Sequence, residues 1–169
     1  RAGGEDLMVL GSHLFDMMRF FAGDPKWVTA HVTTDGEEFV PPHRREATEP
    51  LGPVAGNQIG AIFAFRNGVH GYFASRASSQ TDPLRLGMWL YGSKGVLFLP
   101  MGVYQDGGLF HLPSPSWLPN PQAQWSSVAV QLPARQQTLA QKAGRLISNA
   151  LLVSDLQECI QRNGKPCCN

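Results

Sequence analysis

The chain has 169 residues, 43% of them hydrophobic and 16% charged, which suits one folded domain with a real core and excludes disorder. Its 14 basic and 13 acidic side chains leave a net charge of +1 with no basic stripe, which argues against a nucleic-acid partner. No apolar stretch approaches the ~20 residues of a spanning helix and none opens like a signal peptide, so no membrane is implied and a cytoplasmic location is expected.

From Glu5 to Ala22 apolar residues recur at three- and four-residue steps (Leu7, Leu10, Leu14, Met17, Met18, Phe21), the period of an amphipathic helix. Glu5 and Asp6 suit its positive end, Arg19 its negative end, and Gly23-Asp24-Pro25 stops it. Residues 26–34 alternate as a half-buried strand. Residues 35–57, with Asp35-Gly36, Pro41-Pro42 and the charged run His43-Arg44-Arg45-Glu46, read as a long functional loop, a lid or an oligomer contact.

Residues 58–66 and 69–77 flank Asn67-Gly68, a hairpin signal whose tight form needs positive φ at both turn positions. A second hairpin follows over 84–92 and 96–100 around Ser93-Lys94-Gly95 and is expected to adjoin the first. Residues 101–125 are rich in Gly, Pro and Ser, with one short strand near 108–112, and 126–132 form a further strand. Helices are expected over 134–149 and 153–162, the latter ending at Asn163-Gly164. The expected fold class is α+β: an open, mostly antiparallel β-sheet with helices on one face, the other face left for a partner domain or a second copy.

No Gly-rich dinucleotide fingerprint, phosphate loop, H-E-x-x-H or C-x-x-C is present, so nucleotide binding by this chain alone is not expected. Cys159, Cys167 and Cys168 have no metal-type spacing; no metal and reduced thiols are expected. Ser12 and His13 point about 100° apart on a helix, which rules out a Ser-His-Asp triad with Asp16. Glu5, Val9, His13 and Asp16 instead follow at steps of four, four and three and share one titratable face. Gly11 costs ~1 kcal/mol relative to Ala in a helix, so either helix packing or a close approach explains it. Arg44 and Arg45 are candidates to grip an acidic or hydroxylated substrate. His70, Tyr72 and Arg76 fall on one side of a strand by their even spacing and are candidates for a pocket wall.

The stretch GGEDLMVLGSHLFDMMRFFAGDPKWVTAHV, followed by QIGAIFAFRNGVHGYFASR, LYGSKGVLFL and DLQECIQRNGKP, resembles in order and spacing the second domain of Gfo/Idh/MocA oxidoreductases. The resemblance covers most of the chain. It implies that residues 1–169 are a substrate-binding and oligomerisation domain lacking its N-terminal Rossmann domain, which would hold NAD or NADP and precede Arg1. It further implies a carbohydrate-like substrate and a homo-oligomer formed through the sheet. The family motif D-x-G-x-H places its catalytic histidine at His13 and its aspartate at position 9, where this chain has Val9. His13 is therefore the expected acid/base or substrate-binding residue, with Asp16 orienting it and Glu5 or Asp6 standing in for the missing carboxylate. The same fold also admits NAD-assisted glycoside cleavage, and Val9 admits a non-catalytic oligomerisation domain.

Overall fold

The computed structural model describes residues 4–77, 86–100, 108–114, 121–129, 131, 133–143 and 147–165. They belong to two compact units, Arg1–Arg85 and Leu86–Asn169.

In the first unit the chain opens with a single turn, α1 (Gly4–Asp6), passes through a π turn at Leu7–Gly11 and continues as α2 (Ser12–Ala22). Gly23, at φ 77°, ends the helix, and its N–H donates to the Arg19 carbonyl at 2.7 Å. Strands β1 (Pro25–Thr34), β2 (Glu37–Glu38), β5 (Gln58–Phe65) and β6 (His70–Arg76) form an antiparallel sheet in the order β2-β1-β5-β6. Between β2 and β5 lie a 3₁₀ turn (Pro41–His43) and a two-stranded ribbon of β3 (Arg45–Glu46) and β4 (Pro53–Val54), so the expected long loop is partly ordered by its own short pairing.

The two tight turns are the reverse of the sequence reading. Asp35 and Gly36 both have positive φ (55° and 90°) and join β1 to β2 as a two-residue turn, where an open loop was expected. Asn67-Gly68, expected to be the two-residue turn, needs positive φ only at Gly68 (83°). The Phe65 N–H donates to the Val69 carbonyl at 2.9 Å, which leaves three residues in that loop.

The sheet faces follow from the register. Val28, Phe63 and Gly71 stand in one row, and Ala30, Ala61 and Phe73 in the next, on the face that the helix covers. Ile59, Ala61 and Phe73 form the buried centre, with Leu7, Leu14, Phe15, Val32 and Phe63 packed on it. The Phe15 ring stands 4.8 Å from that of Phe73 and 5.3 Å from that of Phe63. The helix therefore faces the sheet with Leu7, Gly11, Leu14 and Phe15, whereas Phe21, expected on that face, is exposed. The wide π turn explains the change, because it brings residues four apart, such as Leu7, Gly11 and Phe15, into line.

In the second unit β7 (Gly87–Gly92), β8 (Gly95–Pro100), β9 (Leu109–Leu112) and β10 (Ser126–Val128) form a separate antiparallel sheet in the order β10-β9-β8-β7. Among the described residues the second hairpin thus pairs with β9 and shares no sheet with the first. Strand β10 has three residues of the seven expected; Val130 and Leu132 lie outside the described residues. Helices α3 (Ala134–Ala143) and α4 (Ile147–Arg162) follow, α4 starting six residues earlier than expected. It stops at Asn163, φ 51°, where the Gly164 N–H donates to the Cys159 carbonyl at 2.9 Å. Among the described residues no helix is long and apolar enough to cross a membrane.

Two substitutions in the first unit test the helix–sheet contact. Phe73→Ala should lower stability by about 3–5 kcal/mol through loss of a buried ring. Gly11 has helical φ and ψ (−61°, −36°), and an added Cβ would meet Phe73 Cζ at an ordinary 3.5 Å. Gly11→Ala should thus be neutral or stabilising by up to about 1 kcal/mol. Urea unfolding measures both, and a large loss at Gly11→Ala would refute this packing.

Candidate functional site

The start of the first helix is fixed at three successive residues. The Gly4 N–H donates to the Gly56 carbonyl at 3.3 Å, and Gly4 lies so close to the Ala55 carbonyl oxygen that a side chain there would collide with backbone. Glu5 is only 1% exposed; its carboxylate accepts from the Thr48 N–H at 2.9 Å, from the Thr48 hydroxyl, and from Arg45 Nη1 at 3.2 Å. Asp6 accepts from the Ser75 hydroxyl of β6 at 2.9 Å. The two acidic residues expected near the helix dipole thus bind separate parts of the unit.

The Thr48 hydroxyl holds the Glu5 carboxyl below the usual glutamate range, aided by the Thr48 N–H and by Arg45, while burial opposes them in part. The arrangement keeps Glu5 charged and acceptor-only, so it is poorly suited to replace a proton-carrying aspartate. Thr48 and Ser75 were not singled out from the sequence. A threonine in a loop and a serine in a strand carry no local signal for partners 43 and 69 residues away.

Along the helix, Val9 is half-buried, and its carbonyl accepts from the Ser12 hydroxyl at 2.7 Å. The Ser12 hydroxyl is thus turned onto the backbone of its own helix. His13 and Asp16 are exposed on α2 and form no hydrogen bond or ion pair with each other among the described residues. Glu5, Val9 and His13 follow at four-residue steps, but the Arg45–Thr48 segment covers only the Glu5 end. That cover, which a helical wheel cannot show, separates one buried acid from one exposed imidazole on the same face.

Of the candidates read from the sequence, Glu5 and Arg45 meet. Arg44 is exposed just after the 3₁₀ turn. Tyr72 and Arg76 lie on the sheet face opposite Phe73, so the sheet stands between them and the helix that carries His13. Tyr72, 75% exposed, stands beside Ile62 and Thr29 along a shallow groove of about 380 Å³ that also includes His31. Among the described residues no cluster of three His, Cys, Asp or Glu side chains could hold a metal. Cys159 is half-buried, and burial pushes its thiol pKa up.

Residues 1–98, which hold this helix, the first hairpin and most of the second, match the family model for the GFO/IDH/MocA C-terminal domain. The chain belongs to this family. A comparison with curated proteins gives no match. Among solved structures, an oxidoreductase from Agrobacterium radiobacter in complex with NAD+, L-tartaric acid and magnesium matches with a TM-score of 0.55 at 15% identity. The match covers 95% of this chain and 40% of that one, so the chain spans less than half the length of that oxidoreductase. At this identity the likeness shows a shared fold alone.

The Glu5 cluster makes stability dependent on acid. A carboxyl whose native pKa lies below its unfolded value stabilises the fold above the unfolded pKa, and the contribution is lost as pH falls through the native value. Glu5→Gln should be less stable than the parent at neutral pH, and the gap should close as pH drops below the Glu5 range. Urea midpoints measured from neutral pH into that acid window provide the check; a gap that stayed constant would mean Glu5 does not ionise in place.

Proposed function

We propose that this chain is the substrate-side and oligomerisation domain of an NAD(P)-dependent oxidoreductase acting on a sugar, polyol or related hydroxyl compound. His13 is its acid/base or substrate-binding residue. The observation that carries the reading is the exposed imidazole on a family-type helix whose start is fixed at Gly4, Glu5 and Asp6. The chain has no Gly-rich cradle for a dinucleotide phosphate, so on this reading a Rossmann domain outside it binds the cofactor. The NAD+ and L-tartaric acid of the solved oxidoreductase support a nicotinamide cofactor and a polyhydroxy substrate. A neutral imidazole facing a substrate hydroxyl would accept its proton as hydride leaves the carbon, and Asp16 one turn on would favour the resulting imidazolium.

In the full-length protein, NAD+ or NADP+ reduction is followed with a panel of sugars, polyols and hydroxy acids. His13→Ala should leave cofactor binding unchanged and lower turnover about 10²- to 10⁴-fold. Val9→Asp, placing a carboxylate one turn before His13, should move the acid limb of the pH profile to higher pH. Undiminished turnover in a folded His13→Ala protein would defeat the reading.

Val9 itself favours a second reading, in which the domain has lost catalysis and serves assembly alone. The open face of the first sheet, with Trp27, Ile62 and Tyr72 exposed, supports a homo-oligomer under either reading. Sedimentation of the full-length protein should give a dimer or larger, and Ile62→Asp should shift it toward monomer; an assembly indifferent to Ile62→Asp would place the contact elsewhere. The absence of turnover with every compound in the panel, together with an intact oligomer, would select the non-catalytic reading.

A further inference from the structure

The second unit carries a hollow on one face of the β7–β8 hairpin. Leu90 pairs with Leu97, and Leu97 with His111, so two leucines and an imidazole stand in one row across three adjacent strands. At ~4.8 Å between strands the row is about 10 Å long. By alternation the next positions on the same face, toward the turn, are Gly92 and Gly95, which pair with each other. A pair of glycines beside a row of large side chains leaves a step, and Ser93 and Lys94 of the turn stand beyond it. The result is a shallow hollow of about 340 Å³, with Leu90, Leu97, Lys94 and His111 in its lining.

The two glycines differ. Gly95, at φ 145°, has a backbone conformation that favours glycine, and a Cβ there would strike the Leu112 carbonyl oxygen and meet His111 Nε2 at 2.9 Å. The imidazole is thus packed against the Gly95 backbone. With consecutive Cα atoms ~3.8 Å apart, the Lys94 Cα lies at most about 8 Å from Nε2, a span that a four-carbon lysine stem closes onto a shared carboxylate. At Gly92 a Cβ would meet nothing beyond its chain neighbours except the Gly95 carbonyl oxygen at 3.6 Å, so that half of the step is open. Neither Lys94 nor the His111 ring has a hydrogen-bond or ion-pair partner among the described residues, and no acidic side chain stands on β7–β10 or on the turn at 93–94. Two half-buried leucines with an ammonium and an imidazole beside them have the mixed lining of a small-molecule site. The cation and an imidazole N–H suit one carboxylate, and the leucines suit an apolar body attached to it.

We propose that this hollow binds a small organic carboxylate with a compact apolar body, the acid group on Lys94 and His111 and the apolar part over Leu97, Leu90 and Gly92. The site lies wholly within the second unit and is independent of the role given to His13. The full-length protein is titrated by ligand-observed NMR with phenylacetate, with its neutral amide phenylacetamide, and with acetate, which keeps the charge and lacks the apolar body. Phenylacetate should bind saturably with a Kd of about 1–10 mM, the scale for a ligand of about ten non-hydrogen atoms. Phenylacetamide and acetate should each bind at least about threefold more weakly. Lys94→Gln should weaken phenylacetate about three- to tenfold. Gly92→Val, which fills the open half of the step, should abolish saturable binding, and His13→Ala should change nothing.

The proposal would be overturned by any of three results in the wild type: no saturable phenylacetate binding, equal binding of the amide, or equal binding of acetate. A phenylacetate Kd unchanged in Lys94→Gln, or in folded Gly92→Val, would overturn it as well. Lys94 is exposed in a turn, so Lys94→Gln decides the matter even where Gly92→Val does not fold. Binding lost with His13→Ala would place the acid in the first unit and defeat the assignment to this hollow.

Discussion

A carboxylate taken almost wholly out of water must be met by donors, and in the first unit this requirement organises the region around the helix start. Glu5 finds its donors at Thr48 and Arg45, on a segment forty and more residues downstream. An unpaired buried charge there would be far more costly than the ordering of that segment. The ribbon of β3 and β4 is therefore held against the helix start. Gly4 against Ala55 and Gly56, together with Asp6 against Ser75, add the close backbone approach and the bond to the sheet. Every later position on the helix is measured from that fixed start.

The π turn determines how those positions are distributed. On a regular α-helix four-residue steps drift by about 40° each, so Leu7, Gly11 and Phe15 would spiral off the sheet. Across the wider turn they remain aligned, and Phe15 reaches both Phe63 and Phe73. Residues two positions earlier, Glu5, Val9 and His13, then fall on the opposite side, away from the sheet. One local irregularity thus gives the helix a packed side and a chemical side. The Ser12 hydroxyl, by accepting no external task and bonding the Val9 carbonyl, helps satisfy the backbone that the irregularity disturbs.

What the sequence made legible was local or periodic. The helix, the first strand, the positions of both hairpins and the Asn163-Gly164 stop follow from capping residues, alternation and glycine placement, which act over a few residues. Turn geometry was less legible. Asp35-Gly36 and Asn67-Gly68 carry the same signal, and the flanking register decides which becomes the two-residue turn. The partition of strands into two sheets was not legible either, because a hairpin's own sequence says nothing of which edge it joins. The family resemblance placed His13 on the motif helix, but only the fold puts Tyr72 and Arg76 behind the sheet and Arg45 against Glu5.

The substitution at position 9 takes on a physical meaning in this setting. Glu5 is kept charged by Thr48 and Arg45, and position 9 stands one helical turn beyond it. A carboxylate at position 9 would face a like charge at i, i+4, which destabilises the helix and raises the pKa of the newcomer. Val9, half-buried, avoids that conflict. A buried acid at position 5 and an apolar residue at position 9 are thus mutually consistent. On the proposed oxidoreductase reading, negative charge next to His13 comes from Asp16 on its C-terminal side.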